Sequence, residues 1–479
     1  MNDRRGLAEP PERPGASLRD DGSSVNRRVL LAATGMATAA ALAGCTDDAP
    51  GSTEEPTATP TDEPTGTPNA EPPAESLPTG SPNAPTEDLA TLVAGNAGFA
   101  VDLHDRLAAD DDADNVFVSP YSVSMALAMT YAGADGPAET AMRETLGFSL
   151  GSDTHPAFGA LQDELDERET TAAGPGTDDD AEDEVDAFQL AVANALWGAS
   201  EYPFDGEFLD MVDEHYGGGF NEADFATDHE AERERINEWV ADATEERIDE
   251  LLPEGSVDPA TVLVLTNAIY FLASWRDEFD PDDTVDGTFA ALDGTESTVP
   301  MMSQELRTNH ADLPGARAIE LPYVGEDVSM VLLVPDAGEF DRVVGDLTGS
   351  SLFGVFEALG DGEGELRMPR FEFEFDATLR EALTDMGMGD AFGPGADFSG
   401  MVEGSGGPGI DEVYHEAFVS VDEEGTEAAA ATATVMVDSA PPSWGELVID
   451  RPFVFCIRDR PTDAVLFLGH VGDAGAAQS

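Results

Sequence analysis

Gly147, Ser149 and Gly151 have the Gly-x-Ser-x-Gly spacing of a nucleophile elbow. Such a serine needs a strand before it and a helix after it. Here a helical pattern comes first, and Ser152, Asp153, Thr154, His155 and Pro156 follow, so no hydrolytic serine is expected. The seven histidines, at positions 104, 155, 215, 229, 310, 415 and 470, offer no pair at helical ligand spacing, and Cys456 has no partner. No zinc site and no cofactor are therefore expected. The 99 acidic residues are so abundant that any chosen carboxylate pair is a solvated surface. A different kind of chemistry belongs to residues 423–442 (EEGTEAAAATATVMVDSAPP). In isolation this stretch is an Ala/Thr-rich linker or a weak helix. Between two strands it could instead enter a sheet, because small residues at alternate positions pass into a packed interior without steric penalty.

The flanks supply those strands. Residues 415–421 (HEAFVSV) alternate polar and apolar, and residues 446–449 (ELVI) do the same before 451–455 (RPFVF). Upstream, residues 88–107 have helical spacing, 115–118 form a short buried strand, and Ser119 with Pro120 starts a helix over 122–132. A short helix is expected over 139–146, a charged surface insertion over 170–187, a strand over 187–196 and an amphipathic helix over 230–244. Residues 261–271 (TVLVLTNAIYF) make a central strand. Helices come early and strands dominate later, which predicts an α+β architecture.

Residues 423–432 (EEGTEAAAAT) resemble the reactive-loop hinge of an inhibitory serpin. The likeness extends to 115–124 (NVFVSPYSVS), 266–271 (TNAIYF), 299–302 (VPMM), 368–371 (MPRF), 388–392 (MGDAF), 396–401 (ADFSGM), 451–455 and 466–469 (LFLG). It covers most of residues 88–474. The resemblance implies a serpin fold of eight or nine helices around three β-sheets, with an exposed reactive-centre loop. It also implies a suicide inhibitor of serine proteases. In that mechanism the protease acylates itself on the loop, and the loop inserts into the main sheet before the ester hydrolyses. Ser119, Ser122, Asn267 and His415 match the family's polar cluster under the opening sheet. Trp275 matches the tryptophan at the top of that sheet. Arg370 and Glu423 match an ion pair where the loop begins, Arg standing where the family commonly has Lys. The hinge would comprise Glu423, Gly425, Thr426, Glu427, Ala428, Ala429, Ala430, Ala431 and Thr432, with Thr426, Ala428, Ala430, Thr432, Thr434 and Met436 facing inward. Thr426 to Ser439, extended at about 3.3 Å per residue, spans roughly 46 Å.

Counting from Glu423 puts the scissile bond at Ser439–Ala440. Counting back from Pro452 lands on Pro441–Pro442, and a one-residue deletion would favour Asp438–Ser439. A small or polar scissile residue points to an elastase- or subtilisin-like target rather than a trypsin-like one. A non-inhibitory serpin acting as a binding or chaperone-like protein, or an inhibitor of cysteine proteases, would keep the same fold. A monomer is expected.

The whole chain sets the conditions. Its 479 residues carry a net charge of −77, and all 22 basic residues are Arg. Nucleic-acid binding is nearly excluded for want of a basic patch, and the composition predicts a protein from a salt-saturated environment; the resemblance implies a haloarchaeal-type secreted lipoprotein form of the family. Arg27 and Arg28 precede an apolar run over 29–42 that ends in Leu42, Ala43, Gly44 and Cys45. This resembles a twin-arginine lipoprotein signal over residues 1–44, with lipid on Cys45. Residues 45–86 then form a Thr/Pro/Glu-rich tether, 87–474 the folded domain and 475–479 a tail. The domain is thus expected outside the cell, anchored to the outer face of its membrane.

Overall fold

The computed structural model describes residues 87–109, 114–172, 188–217, 219–393, 395–403, 407–426 and 442–478. The expected leader and tether, most of the acidic insertion, and residues 427–441 with every candidate scissile bond lie outside the described residues.

The first half of the folded chain is α1 (Glu87–Ala108), β1 (Asn115–Val118), α2 (Pro120–Tyr131), α3 (Gly136–Thr145), α4 (Thr154–Ala172), β2 (Phe188–Ala199), α5 (Gly206–Tyr216), β3 (Phe220–Ala223), α6 (Phe225–Ala243) and β4 (Leu263–Ser274). After it come β5 (Val285–Ala290), β6 (Glu296–Leu313), β7 (Ala316–Pro322), β8 (Val328–Pro335), α7 (Phe340–Gly345), α8 (Gly349–Ala358), β9 (Gly360–Pro369) and β10 (Phe371–Thr378). The chain closes with α9 (Arg380–Leu383), β11 (Val413–Val421), β12 (Gly425–Thr426), β13 (Ser443–Val448), β14 (Phe453–Asp459) and β15 (Val465–Val471). The α+β segregation follows the sequence pattern.

Two hydrogen-bonded networks hold these strands. The smaller has the order β10-β11-β12-β4-β2-β3, and the larger β1-β15-β14-β8-β7-β6-β9-β13 with β5 beside β6. The three sheets expected are two networks among the described residues because β6 is 18 residues long and runs unbroken from one leaf to the next. Its earlier part pairs with β5 and β9, and its last four residues pair with β7.

β4 is buried along almost its whole length, as its unbroken apolar run requires. α2 is buried at every position, and its first turn is fixed by Ser119, whose side chain accepts from the Ser122 backbone, and by Pro120 at the first helical position. The sixth helix starts at Phe225 rather than 230 because the Asp224 carboxylate accepts from Thr227 N at 3.1 Å. Within the described part of the expected tail, Glu372 N donates to Ala477 O at 2.8 Å, and Ala477 is fully buried.

Candidate functional site

The hinge begins inside the sheet. β11 alternates strictly, with Val413, His415, Ala417, Val419 and Val421 turned to the core. At its end a tight turn reverses the chain: Asp422 Oδ1 accepts from Glu424 N at 2.9 Å and Gly425 N at 3.2 Å. Gly425 and Thr426 then form β12, antiparallel both to β11 (Val421 opposite Thr426) and to β4 (Gly425 opposite Ser274, Thr426 opposite Ala273). Below this wedge β4 and β11 pair directly and in parallel, but only over Leu265–Ile269 and Val413–Ala417. Past Ile269 and Ala417 the β4–β11 ladder stops, with Tyr270, Phe271 and Leu272 on one side of the parting and Phe418, Val419 and Ser420 on the other. Gly425 and Thr426 of the expected hinge are therefore seated between strands.

Polar contacts define that seat. Thr426 is 1 % exposed, and its hydroxyl lies 2.9 Å from the Tyr323 phenol. Tyr323 stacks on Trp275, ring centroids 4.6 Å apart, and Trp275 Nε1 donates to Asp422 O at 3.0 Å. Arg370 Nη2 donates to the Glu423 carboxylate, which also accepts from the Thr284 hydroxyl. Burial works to raise the Glu423 pKa, but the bonds from Arg370 and Thr284 outweigh it and hold the carboxyl below the usual range. The carbonyls of Glu423 and Glu424 accept from Phe279 N and Trp275 N, both at 2.9 Å.

Ser119, Ser122, Asn267 and His415 meet beneath the parting. His415 Nε2 accepts from Ser119 N at 3.4 Å, so its proton sits on Nδ1, which donates to Asn267 Oδ1. Asn267 Nδ2 donates to Ser122 Oγ at 2.7 Å, and Ser119 Oγ donates to Leu466 O at 2.7 Å. Burial lowers the His415 pKa to about 3, so the ring is neutral and cannot cycle protons near neutrality. Because His415 and Asn267 are register partners on β11 and β4, their bond bridges the two strands that flank the hinge.

Asn194 completes the cluster and was missed from the sequence. Its Oδ1 accepts from Ser122 Oγ at 2.9 Å and from Asn267 Nδ2 at 2.7 Å, while its Nδ2 donates to Ser122 O at 3.0 Å. An amide amid the small apolar residues 191–196 was the available signal. Tyr323, by contrast, carried no such signal. Ser149 follows a helix, and Phe148 beside it packs on Tyr131 and Phe158, so the Gly-x-Ser-x-Gly match is a helix end. Cys456 is buried, and burial pushes its thiol up to about 12.

The fold and this loop-seating sheet are those of a serpin. The family described as "Serpin (serine protease inhibitor)" matches residues 94–474. The leukocyte elastase inhibitor of Sus scrofa is 37% identical over 391 residues, covering 79% of this chain and 98% of that one. An uncharacterised serpin-like protein of Methanosarcina acetivorans is 34% identical over 386 residues, covering 80% and 86%. Among solved structures, the thermophilic serpin tengpin in its native state aligns with a TM-score of 0.67 at 27% identity, covering 80% of this chain and 94% of that one. Uncleaved ovalbumin aligns at 0.68 and 26% identity, covering 80% and 100%. The chain belongs to the serpin family.

Proposed function

We propose that this protein is a suicide inhibitor of serine proteases that traps its target by loop insertion. The observation that carries the reading is β12: the hinge residues Gly425 and Thr426 are already paired with β4 and β11, at the head of a parting that continues their line. The next inward positions, Ala428, Ala430, Thr432 and Thr434, are small and uncharged, so the parting can fill without burying a charge. Acylation at Ser439–Ala440, or at Asp438–Ser439, leaves the protease's ester on the end of the inserting strand. Each new backbone hydrogen bond contributes about 1 kcal/mol net, which makes insertion strongly downhill. The similarity to leukocyte elastase inhibitors and the small residues around position 439 favour an elastase- or subtilisin-like target. Cys45 would carry lipid and hold the domain outside the cell, and the protein would act as a monomer.

Incubation of the mature protein with elastase-, subtilisin- and trypsin-like proteases in molar KCl tests this on a denaturing gel. A covalent complex with one of the first two is expected. Cleavage of the loop by every protease without any complex would rule out the inhibitor and leave a binding or chaperone-like serpin.

A further inference from the structure

Residues 244–262, between α6 and β4, cross the outer face of the smaller sheet. Ile248, Leu251 and Leu252 are buried there, with Ile248 and Leu251 packed against Ala193 of β2 and Ala268 of β4. The far end of the crossing is pinned to α6. Asn237 Nδ2 donates to Leu252 O at 2.9 Å, Leu252 N donates back to Asn237 Oδ1 at 2.8 Å, and Arg233 Nη1 reaches Leu252 O at 2.8 Å.

Its near end is strained. Glu245 and Glu246 are consecutive non-glycine residues in the left-handed region, with φ of 53° and 60°. This double reversal delivers Arg247 over the parting. Its guanidinium carbon lies 5.9 Å from the Tyr270 ring centroid on β4 and 6.0 Å from that of Phe418 on β11. Tyr270 and Phe418 are the first residues past the last β4–β11 pair, Ile269 with Ala417.

We infer that Arg247 is a clip across the two strands that must separate, and that its release sets how fast the loop enters the sheet. The inference rests on the loop-insertion reading. Arg247 is a positioning residue, acting through the strands it joins. A strand threading down from Thr426 widens the Tyr270–Phe418 separation, so both ring contacts cannot persist. The strained turn at Glu245 and Glu246 then loses the contacts that hold it.

A synthetic peptide of residues 426–439, added to the intact mature protein in molar KCl, measures sheet opening without any protease. Its annealing is read as a rise in melting temperature with time. Arg247→Gln should anneal it roughly five- to thirtyfold faster than wild type, the loss expected for two exposed cation–π contacts. Arg247→Lys, which keeps the cation, should fall between. Arg235→Gln, which removes a comparable contact with Trp197 away from the parting, should match wild type. Loop-cleaved Arg247→Gln should melt like loop-cleaved wild type, since the clip is already open in that form; a merely structural arginine would lower both. Equal annealing of wild type and Arg247→Gln overturns the clip alone. A wild-type protein that accepts no peptide and traps no protease overturns the insertion reading, and the clip with it.

Discussion

Thr426 occupies a space built for a short uncharged side chain with one hydroxyl. It is buried between β4 and β11, and its oxygen is spoken for by Tyr323. Thr426→Arg would bury a guanidinium without a carboxylate to meet it, at a cost of several kcal/mol. The variant should be cleaved as a substrate rather than trap protease. Titration of the protease against the variant checks this, and an unchanged stoichiometry of trapping would reject the seat. Four buried imidazoles set a second residue-scale property. Burial holds His104 and His415 at about 3 and His155 and His470 at about 4, all below the ordinary value near 6.5. As pH falls below 6.5 the unfolded chain takes up these protons while the folded chain does not. Stability is therefore full above 6.5 and declines by about 1.4 kcal/mol per pH unit per histidine below it. Glu416 has the opposite sign: burial, then Glu374, Asp376 and Asp249, raise it to about 7, so its protonation favours the fold as pH drops toward 4.5. Asp102, Asp105, Asp166 and Asp459 are raised by burial and share that sign, whereas Glu320 and Glu423, despite burial, are held low by their arginines and lose stability in acid along with the four imidazoles, which set the direction. Melting in molar KCl should fall between pH 6.5 and 4.5, with a shallower slope in His415→Gln; a flat profile in the parent would refute the assignment.

At the scale of elements, the smaller sheet is unfinished. β4 and β11 share five register pairs below the parting and the two residues of β12 above it. Cleavage between Val435 and Ala440 should let the freed strand complete the ladder. At about 1 kcal/mol per bond, ten new bonds would raise the melting temperature by roughly 10 to 20 °C. Calorimetry on intact and nicked protein in the same salt measures it, and equal melting would make the loop a simple linker. Much of this sheet was legible in the sequence. The alternation of β11 announces which residues face the core, and the apolar run of β4 announces a central strand. His415 and Asn267 could be brought together because the family motifs around them were recognisable. What could not be read depends on pairings between distant segments. β12 is two residues long and has no period of its own, so only its pairing with β11 beside it and with the sequence-distant β4 makes it a strand. Asn194, Tyr323 and Arg247 sit in unremarkable local patterns, and their roles exist only once three or four elements converge. The left-handed turn at Glu245 and Glu246 is illegible for a plainer reason: neither residue favours that backbone.

At the scale of the whole molecule, charge governs when this machinery can work. Residues 1–44 hold six Arg and five acidic residues, so a chain starting at Cys45 keeps 16 Arg against 94 carboxylates, a net charge of −78. The basic side chains that the fold does own are committed to local partners. Arg458 bridges Glu320 and Asp463 at 2.7 Å each, and Arg168 holds Asp459 at 3.0 Å. These buried pairs are little affected by salt, whereas the surplus carboxylates repel one another across the surface wherever screening is weak. At molar salt the Debye length is about 3 Å and most of that repulsion disappears; at 0.1 M it is about 10 Å and neighbouring carboxylates are within range. The intact form should suffer first, because its sheet is already parted between Tyr270 and Phe418 and carries Glu374, Asp376 and Glu416 on adjacent strands. Register places Asp376 directly opposite Glu416, a like-charge pair that opposes strand association. Inhibition should therefore be lost, reversibly, as KCl falls below about 1 M. The loop-inserted form, with its ladder complete, should stay folded to lower salt. Denaturation of both forms across a KCl series, alongside complex formation at each concentration, decides the matter, and full trapping activity in dilute buffer would show that surface repulsion does not reach the sheet.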